Sequence, residues 1–356
     1  MQFGLMSLGD RITDSVTRAE ASGAARHRMI VEAAVVAEHA GFTSVNIGEH
    51  HGIDYVFSSP PVVLAAIAER TTRLRLSTAV TLAANLDPWR LAEDYATVDV
   101  LSDGRAEVVA GRGNFFVSTY ELFGQDIGQS RDRFDEAIEL LLALWAADDT
   151  VTWEGAFRPP IVAQKLHPRP LQRPHPPLWI GGGSSPETAE LAARLGLRLM
   201  LPSAFGNPAA FRGVVDHYLE QFSAAGHSHE PVVGACWHAN VARTSREAHT
   251  RWEPRYRRYH GWMQALLKRV NPDVPPYLLK PFDYQWLATN GPAIVGSPAE
   301  VTDRLGAMAE LLGADTHLLY LDMGGMPQAE LLDMVELIGT DVIPQLAGAE
   351  PAALVG

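Results

Sequence analysis

Leu178-Trp179-Ile180-Gly181-Gly182-Gly183-Ser184-Ser185-Pro186-Glu187-Thr188 runs from a short apolar segment into a helix start across three glycines. The apolar segment has the length and bulk of a buried strand, and Pro186 suits the first turn of the helix that follows. Glycines let backbone approach a ligand closely, while the free N–H groups and positive dipole end of a helix start attract phosphate. Ser184, Ser185 and Thr188 add hydroxyl groups to that turn. The same residues also read as an ordinary capped helix, with Ser185 capping above Pro186 and the glycines merely turning the chain.

Strand followed by helix is the unit that recurs on both sides of this turn. Upstream, a strand around Phe3 to Met6 precedes a helix with Met29, Ile30, Ala33, Ala37 and Ala40 on one stripe, closed by Gly41. Ser44 to Ile47 is the second strand, and Pro60-Pro61 open a short helix through Ala68. Leu74 to Val80 alternates as a third strand, Pro88 starts a helix ending near Leu101, and Glu107 to Ala110 forms a fourth strand after the Asp103-Gly104 turn. Downstream of the fifth strand, Leu178 to Ile180, come a sixth over Arg198 to Leu201, a seventh within Val232 to Val241, and an eighth over His317 to Leu321. Ser297-Pro298-Ala299-Glu300 is a capping-box start, and Gly313 ends that helix. Eight strands separated by helices predict an α/β fold with a parallel sheet, because parallel pairing needs crossovers. A closed barrel and an open doubly wound sheet both satisfy this pattern.

Two stretches depart from the alternation. Residues 148–177 carry seven prolines and read as an irregular, ordered excursion. Residues 246–292 insert about one extra helix, with Trp252, Tyr256, Tyr259, Met263 and Leu266 on one stripe, and read as a candidate lid.

Composition narrows the function classes. The formal charge is 29 − 42 = −13, which opposes attraction to phosphate backbones or anionic lipid, so neither nucleic acid nor a membrane is expected as a partner. Cys236 is the only cysteine, which excludes an intrachain disulfide and a thiolate zinc cluster and fits a cytoplasmic protein. Only Lys165, Lys268 and Lys280 exist, none at the end of a predicted strand, which disfavours Schiff-base chemistry. No Gly-x-Ser-x-Gly elbow is present.

Other residues gather where parallel folds place ligands, at the carboxyl ends of strands. Gly111-Arg112-Gly113 leaves the fourth strand, and Arg112 offers a forked cation suited to phosphate. It is not a dinucleotide fingerprint, because Phe116 stands where the third glycine would be. Glu49-His50-His51-Gly52 leaves the second strand; adjacent residues point to opposite sides, so the two imidazoles are poorly placed to share a metal, and one of them fits proton transfer better. No metal site is expected.

These pieces, in this order, resemble the bacterial-luciferase-like family of flavin-dependent monooxygenases. The resemblance spans most of the chain, through Glu49-His50-His51, Thr78-Ala79-Val80, Pro88, Ala92-Glu93-Asp94, Leu101-Ser102-Asp103-Gly104-Arg105, Gly111-Arg112-Gly113, Phe123-Gly124, the serine-rich turn, Ala192 to Leu197 and Val295-Gly296-Ser297-Pro298. It implies one TIM-type (β/α)8 barrel over 1–346 and a C-terminal tail over 347–356. It further implies reduced FMN at the carboxyl ends of the strands, its phosphate held by Arg112 and Gly113 with Gly182, Gly183, Ser184, Ser185 and Thr188. His50 assists proton transfer, and a non-proline cis peptide at Ala79-Val80 shapes the seat of the flavin ring. Phe115 and Phe116 are the expected ring or substrate contacts. The family's reactive cysteine just before the arginine is Gly111 here, and a carboxylate of its phosphate site is Ser184.

The activity the resemblance implies is oxidation of a small organic substrate by O2 through a C4a-peroxyflavin, with reduced FMN supplied by a separate flavin reductase to a homodimer. The alternatives on the same barrel are an F420-dependent hydride transferase and a flavin-binding protein without turnover.

Overall fold

Eight short apolar segments form an inner wall: β1 (Gln2–Ser7), β2 (Ser44–Ile47), β3 (Arg75–Thr78), β4 (Val108–Gly111), β5 (Leu178–Gly181), β6 (Arg198–Leu201), β7 (Val233–Val241) and β8 (Thr316–Tyr320). These come from a computed structural model of the chain, which describes residues 1–182, 185–274 and 276–347. The strands are parallel in the order β3-β2-β1-β8-β7-β6-β5-β4. A parallel bridge between Leu76 and Ala106 and the pairing of Thr81–Leu82 with Ala110 and Gly111 bring β3 and its continuation onto β4. The sheet therefore closes as a TIM-type α/β barrel rather than opening as a doubly wound sheet. Closure covers both faces of every strand, which is why β2, β4 and β7 are buried along their whole length.

The helices form where the sequence patterns place them. The helix Gly23–His39 buries Met29, Ile30, Ala33 and Ala37 against the barrel, its Ser22 side chain accepts from the Ala25 N–H, and Gly41 follows at φ +90°. The helix Pro298–Leu312 starts in a complete capping box between Ser297 and Glu300 and ends on Gly313 at φ +61°. Each device satisfies backbone groups that a helix end would otherwise strand.

Three elements differ from the sequence reading. The third strand stops at Thr78, short of Val80; the Ala79–Val80 peptide bond is cis, as the resemblance implied, and the chain resumes as the short strand Thr81–Leu82. The stretch 148–177 contains an antiparallel hairpin, Val151–Trp153 with Ile161–Gln164. Its prolines 159 and 160 fall in the connection and the other five follow the second strand, so the β-branched residues between them remain free to pair. A further strand, Ala293–Gly296, pairs in parallel with His238–Val241, because β7 is nine residues long and outruns β8.

The insertion after β7 is mostly one helix, Ser245–Val270. Arg255 ties it down: the fully buried guanidinium binds the Asp14 carboxylate at 2.8 and 2.9 Å and Glu330 at 2.7 and 3.0 Å. Of the tail, 348–356 lies outside the described residues. Among the described residues no helix is long and apolar enough to cross a membrane, and no group of histidines, cysteines and carboxylates could hold a metal ion.

Candidate active site

A cavity of about 450 Å3 opens among the residues just past the strand ends: Leu8 after β1, His50 after β2, Val80 after β3, Arg112 after β4, Gly182 after β5 and Pro202 after β6. Met263 and Leu278, from the insertion after β7, complete its wall. The sequence-derived residues His50, Ala79, Val80, Arg112, Gly113, Phe115, Phe116 and Gly182 all line it. Ser185 and Thr188 do not; they stand beside the cavity at the helix start. Gly183 and Ser184 lie outside the described residues.

The floor is set by one side chain. A Cβ built on Gly111 would lie 2.3 Å from Val80 Cγ2, and one on Gly181 would lie 2.8 Å from Val80 Cγ1. Val80 thus fills the space that side chains on β4 and β5 would need. Gly113 is required for a different reason, since its φ is +72° and a Cβ there would meet Asn85 Oδ1 at 2.7 Å. Gly111→Cys, the residue luciferases carry, is expected to cost about 1–3 kcal/mol through overpacking. Val80→Ala with Gly111→Cys should recover most of it, measured by urea midpoints; a single variant as stable as the parent would remove Val80 as the reason for glycine.

Arg112 lines one edge of the cavity, and Arg131 is near enough for its charge to act on it. Arg112 has no ion pair among the described residues, and burial together with the neighbouring Arg131 charge lowers its pKa. Arg131 Nη2 donates to Ser185 Oγ at 2.9 Å, and Ser185 Oγ lies 3.3 Å from Thr188 Oγ1. Ser185 makes no capping bond to its helix, so the capped-helix reading of this turn does not hold. Its hydroxyl is turned toward the arginine instead. The Tyr120 hydroxyl donates to the Arg112 carbonyl and anchors the backbone there. Two cations and two hydroxyl groups thus gather at a helix start, with the exposed Glu187 carboxylate 3.7 Å from Arg131.

Arg131 was missed by the sequence reading. It occupies the first turn of the helix Ser130–Ala146, where the dipole disfavours a cation, and that misplacement was the available signal.

His50 and His51 diverge as the alternation requires. His51 Nε2 lies 2.8 Å from Glu49 Oε1, while Glu49 Oε2 accepts from Thr81 Oγ1 at 2.7 Å and the Leu82 N–H at 3.1 Å. This buried carboxylate fastens the end of β2 to the segment that follows Val80, a role the sequence reading did not give it. His50 faces the cavity with one edge, but its Nδ1 is out of solvent and has no hydrogen-bond partner. Burial, helped by the nearby His51, pushes its pKa down to about 3. The imidazole is therefore neutral at ordinary pH, able to accept or donate one hydrogen bond but not to act as a preformed imidazolium acid. Aromatic rings make up much of the remaining wall: Phe115 and Phe116 pack edge to face at 5.0 Å, and Phe205 lies 5.7 Å from Phe115.

A closed parallel barrel with a partly aromatic cavity at its carboxyl rim is the architecture of a barrel enzyme. The chain belongs to the luciferase-like monooxygenase family, whose model matches residues 1–316. It is 24% identical over 336 residues to the oxygenase component of the flavin-dependent trigonelline monooxygenase of Acinetobacter baylyi, covering 91% of this chain and 90% of that protein. It is 32% identical over 177 residues to the F420-dependent glucose-6-phosphate dehydrogenase of Amycolatopsis mediterranei, 48% of this chain and 51% of that one. Among solved structures, monooxygenase RslO1 from Streptomyces bottropensis superposes with a TM-score of 0.80 at 27% identity, over 98% of this chain and 100% of that chain. The protein is an oxidoreductase of this family, whose named relatives include flavin-dependent monooxygenases and F420-dependent enzymes.

Proposed function

We propose that the protein is a flavin-dependent monooxygenase that binds reduced FMN, delivered by a separate flavin reductase, and uses O2 to oxidise a small organic substrate. The observation that carries this reading is the pair Arg112 and Arg131 beside an uncapped Ser185, a phosphate-sized seat at the edge of an apolar cavity. Arg112 and Arg131 hold the phosphate charge, Ser185 and Thr188 donate hydrogen bonds, and Gly113 and Gly182 let the backbone come close. Gly183 and Ser184 belong to the same turn. Ala79 and Val80 form the floor under the flavin ring, and Phe115 and Phe116 contact the ring or the substrate. Bound reduced FMN supplies the electrons that activate O2. The cavity wall excludes water, and neutral His50 presents one nitrogen for a proton at the reacting end. The stretch 246–292 acts as the lid, and a homodimer forms through the helices Pro60–Ala68 and Pro88–Leu101, on which Val62, Val100 and Leu101 are exposed.

The second reading, an F420-dependent oxidoreductase, is favoured by the 32% identity over half the chain. Anaerobic titration with reduced FMN and reduced F420 separates the two. Reduced FMN is expected to bind at least tenfold tighter than F420, a difference of about 1.4 kcal/mol. Binding of F420 alone would overturn the FMN reading. Supplied with a flavin reductase and air, the protein should form an oxygenated product from a panel of aldehydes, sulfonates and aromatic compounds, followed by mass spectrometry. Flavin binding without any product would leave only a flavin-binding protein.

A further inference from the structure

His50 has no hydrogen bond to set the plane of its ring. Its backbone is fixed, with the N–H donating to the Phe57 carbonyl at 2.9 Å, but the imidazole torsion is a soft twofold one. Its closest ring partner among the described residues is Tyr55, stacked on it at 3.8 Å between centroids and 11° between planes; Phe116 touches more distantly, edge-on at 5.8 Å. Tyr55 is in turn clamped from the insertion. Its hydroxyl lies 3.2 Å from the Tyr259 hydroxyl, and its ring meets Trp262 edge to face at 5.1 Å. Tyr259 and Trp262 belong to the helix Ser245–Val270, whose Met263 lines the cavity. The ladder continues inward: the Tyr259 ring meets the Tyr320 ring edge to face at 5.9 Å, and the Tyr320 hydroxyl donates to the buried Asp10 carboxylate.

We propose that Tyr55 and Tyr259 are positioning residues for His50. Tyr55 sets the imidazole plane by stacking, and Tyr259 makes that plane depend on the seating of the helix over the cavity. A Tyr55 free of its hydroxyl partner could rotate or slide, and His50 would follow, because among the described residues the Tyr55 face is its closest ring contact and no hydrogen bond opposes the turn. This rests on the reading of His50 as the proton-handling group, and the ring geometry is tested apart from it.

The experiment uses flavin-free, ring-labelled histidine protein, with the His50 NMR signals assigned by their loss in His50→Gln. Wild type should show one narrow set of His50 ring signals, moved upfield by the Tyr55 ring current. Tyr55→Phe should keep that shift, and Tyr55→Leu should lose it. Tyr259→Phe should keep it but broaden the signals through microsecond to millisecond exchange, and Tyr55→Phe should broaden them likewise, because it breaks the same hydroxyl contact from the other side. Melting curves establish that each variant is folded. In stopped flow, air oxidation of bound reduced FMN should change about tenfold in Tyr55→Leu and stay within about twofold in Tyr55→Phe, as expected for a displaced reacting group. A wild-type His50 shift in Tyr55→Leu, or a Tyr55→Phe variant no better than Tyr55→Leu, overturns the proposal. If His50→Gln leaves the oxidation rate unchanged while the NMR pattern is as described, the proton role of His50 fails and the positioning stands.

Discussion

Arg112→Ala should weaken binding of reduced FMN by about 100-fold, close to 2.7 kcal/mol, without changing the fold. The guanidinium has no ion pair among the described residues to lose, and its removal ends a repulsion with Arg131 along with smaller attractions to Asp135 and Glu187. The variant should accordingly melt no lower than wild type. Arg112→Lys keeps the charge but not the fork, and an intermediate loss is expected. Arg131→Ala should weaken binding less, because its Nη2 already donates to Ser185 and an exposed carboxylate, Glu187, lies 3.7 Å away. Anaerobic fluorescence titration reads all three. Unchanged affinity in Arg112→Ala would remove this residue from the phosphate seat and with it the main support for a flavin at this edge.

The second large effect is a loss of stability in mild acid. His238 is buried and His50 half-buried at the cavity, each with a pKa near 3, and His317 is buried with one near 4, in each case chiefly because burial disfavours the charged ring. Their nitrogens are committed or dry: His317 Nδ1 accepts from Trp237 Nε1 at 2.9 Å, His238 Nδ1 faces the Tyr256 hydroxyl at 3.0 Å, and Nε2 of both lacks a partner. The unfolded chain binds protons on these residues near pH 6.5 while the folded chain does not, so stability rises with pH through this window and falls as pH drops below about 6.5. At pH 5 each histidine costs about 2 kcal/mol relative to pH 8, together about 6 kcal/mol, comparable with the whole stability of many domains. Asp10, Asp94, Asp135 and Asp315, whose carboxyls are raised chiefly by burial, work in the opposite sense and offset part of this loss. Urea denaturation at pH 8 and pH 5 should show the difference, and His50→Gln should remove about a third of it. A urea midpoint that does not move between these two pH values would contradict neutral, buried imidazoles at these positions.

The pattern of eight apolar segments, each followed by a helix signal, was legible because a parallel strand must be buried on both faces and each crossover needs its own caps. Strand positions survived to within one or two residues for the same reason. The hairpin at Val151–Trp153 and Ile161–Gln164 was hidden by proline content, since proline counts speak against regular structure only where the prolines fall within it. The strand Ala293–Gly296 was hidden because its partner is the overhang of β7, a length set by neighbours and not by composition.

Sequence by itself determined the parallel α/β class, the capping devices at Ser297 and Gly313, and the two glycine-bearing segments after the fourth and fifth strands that line the cavity. Tertiary structure alone decided that the sheet closes, that Val80 is what demands glycine at Gly111 and Gly181, that Arg131 joins Arg112, and that Tyr55 stacks on His50. The reason is distance along the chain. Caps, turns and buried periodicity act within a few residues, so local chemistry encodes them, whereas barrel closure, shared space and charge proximity join residues from different strands and exist only once the chain has folded.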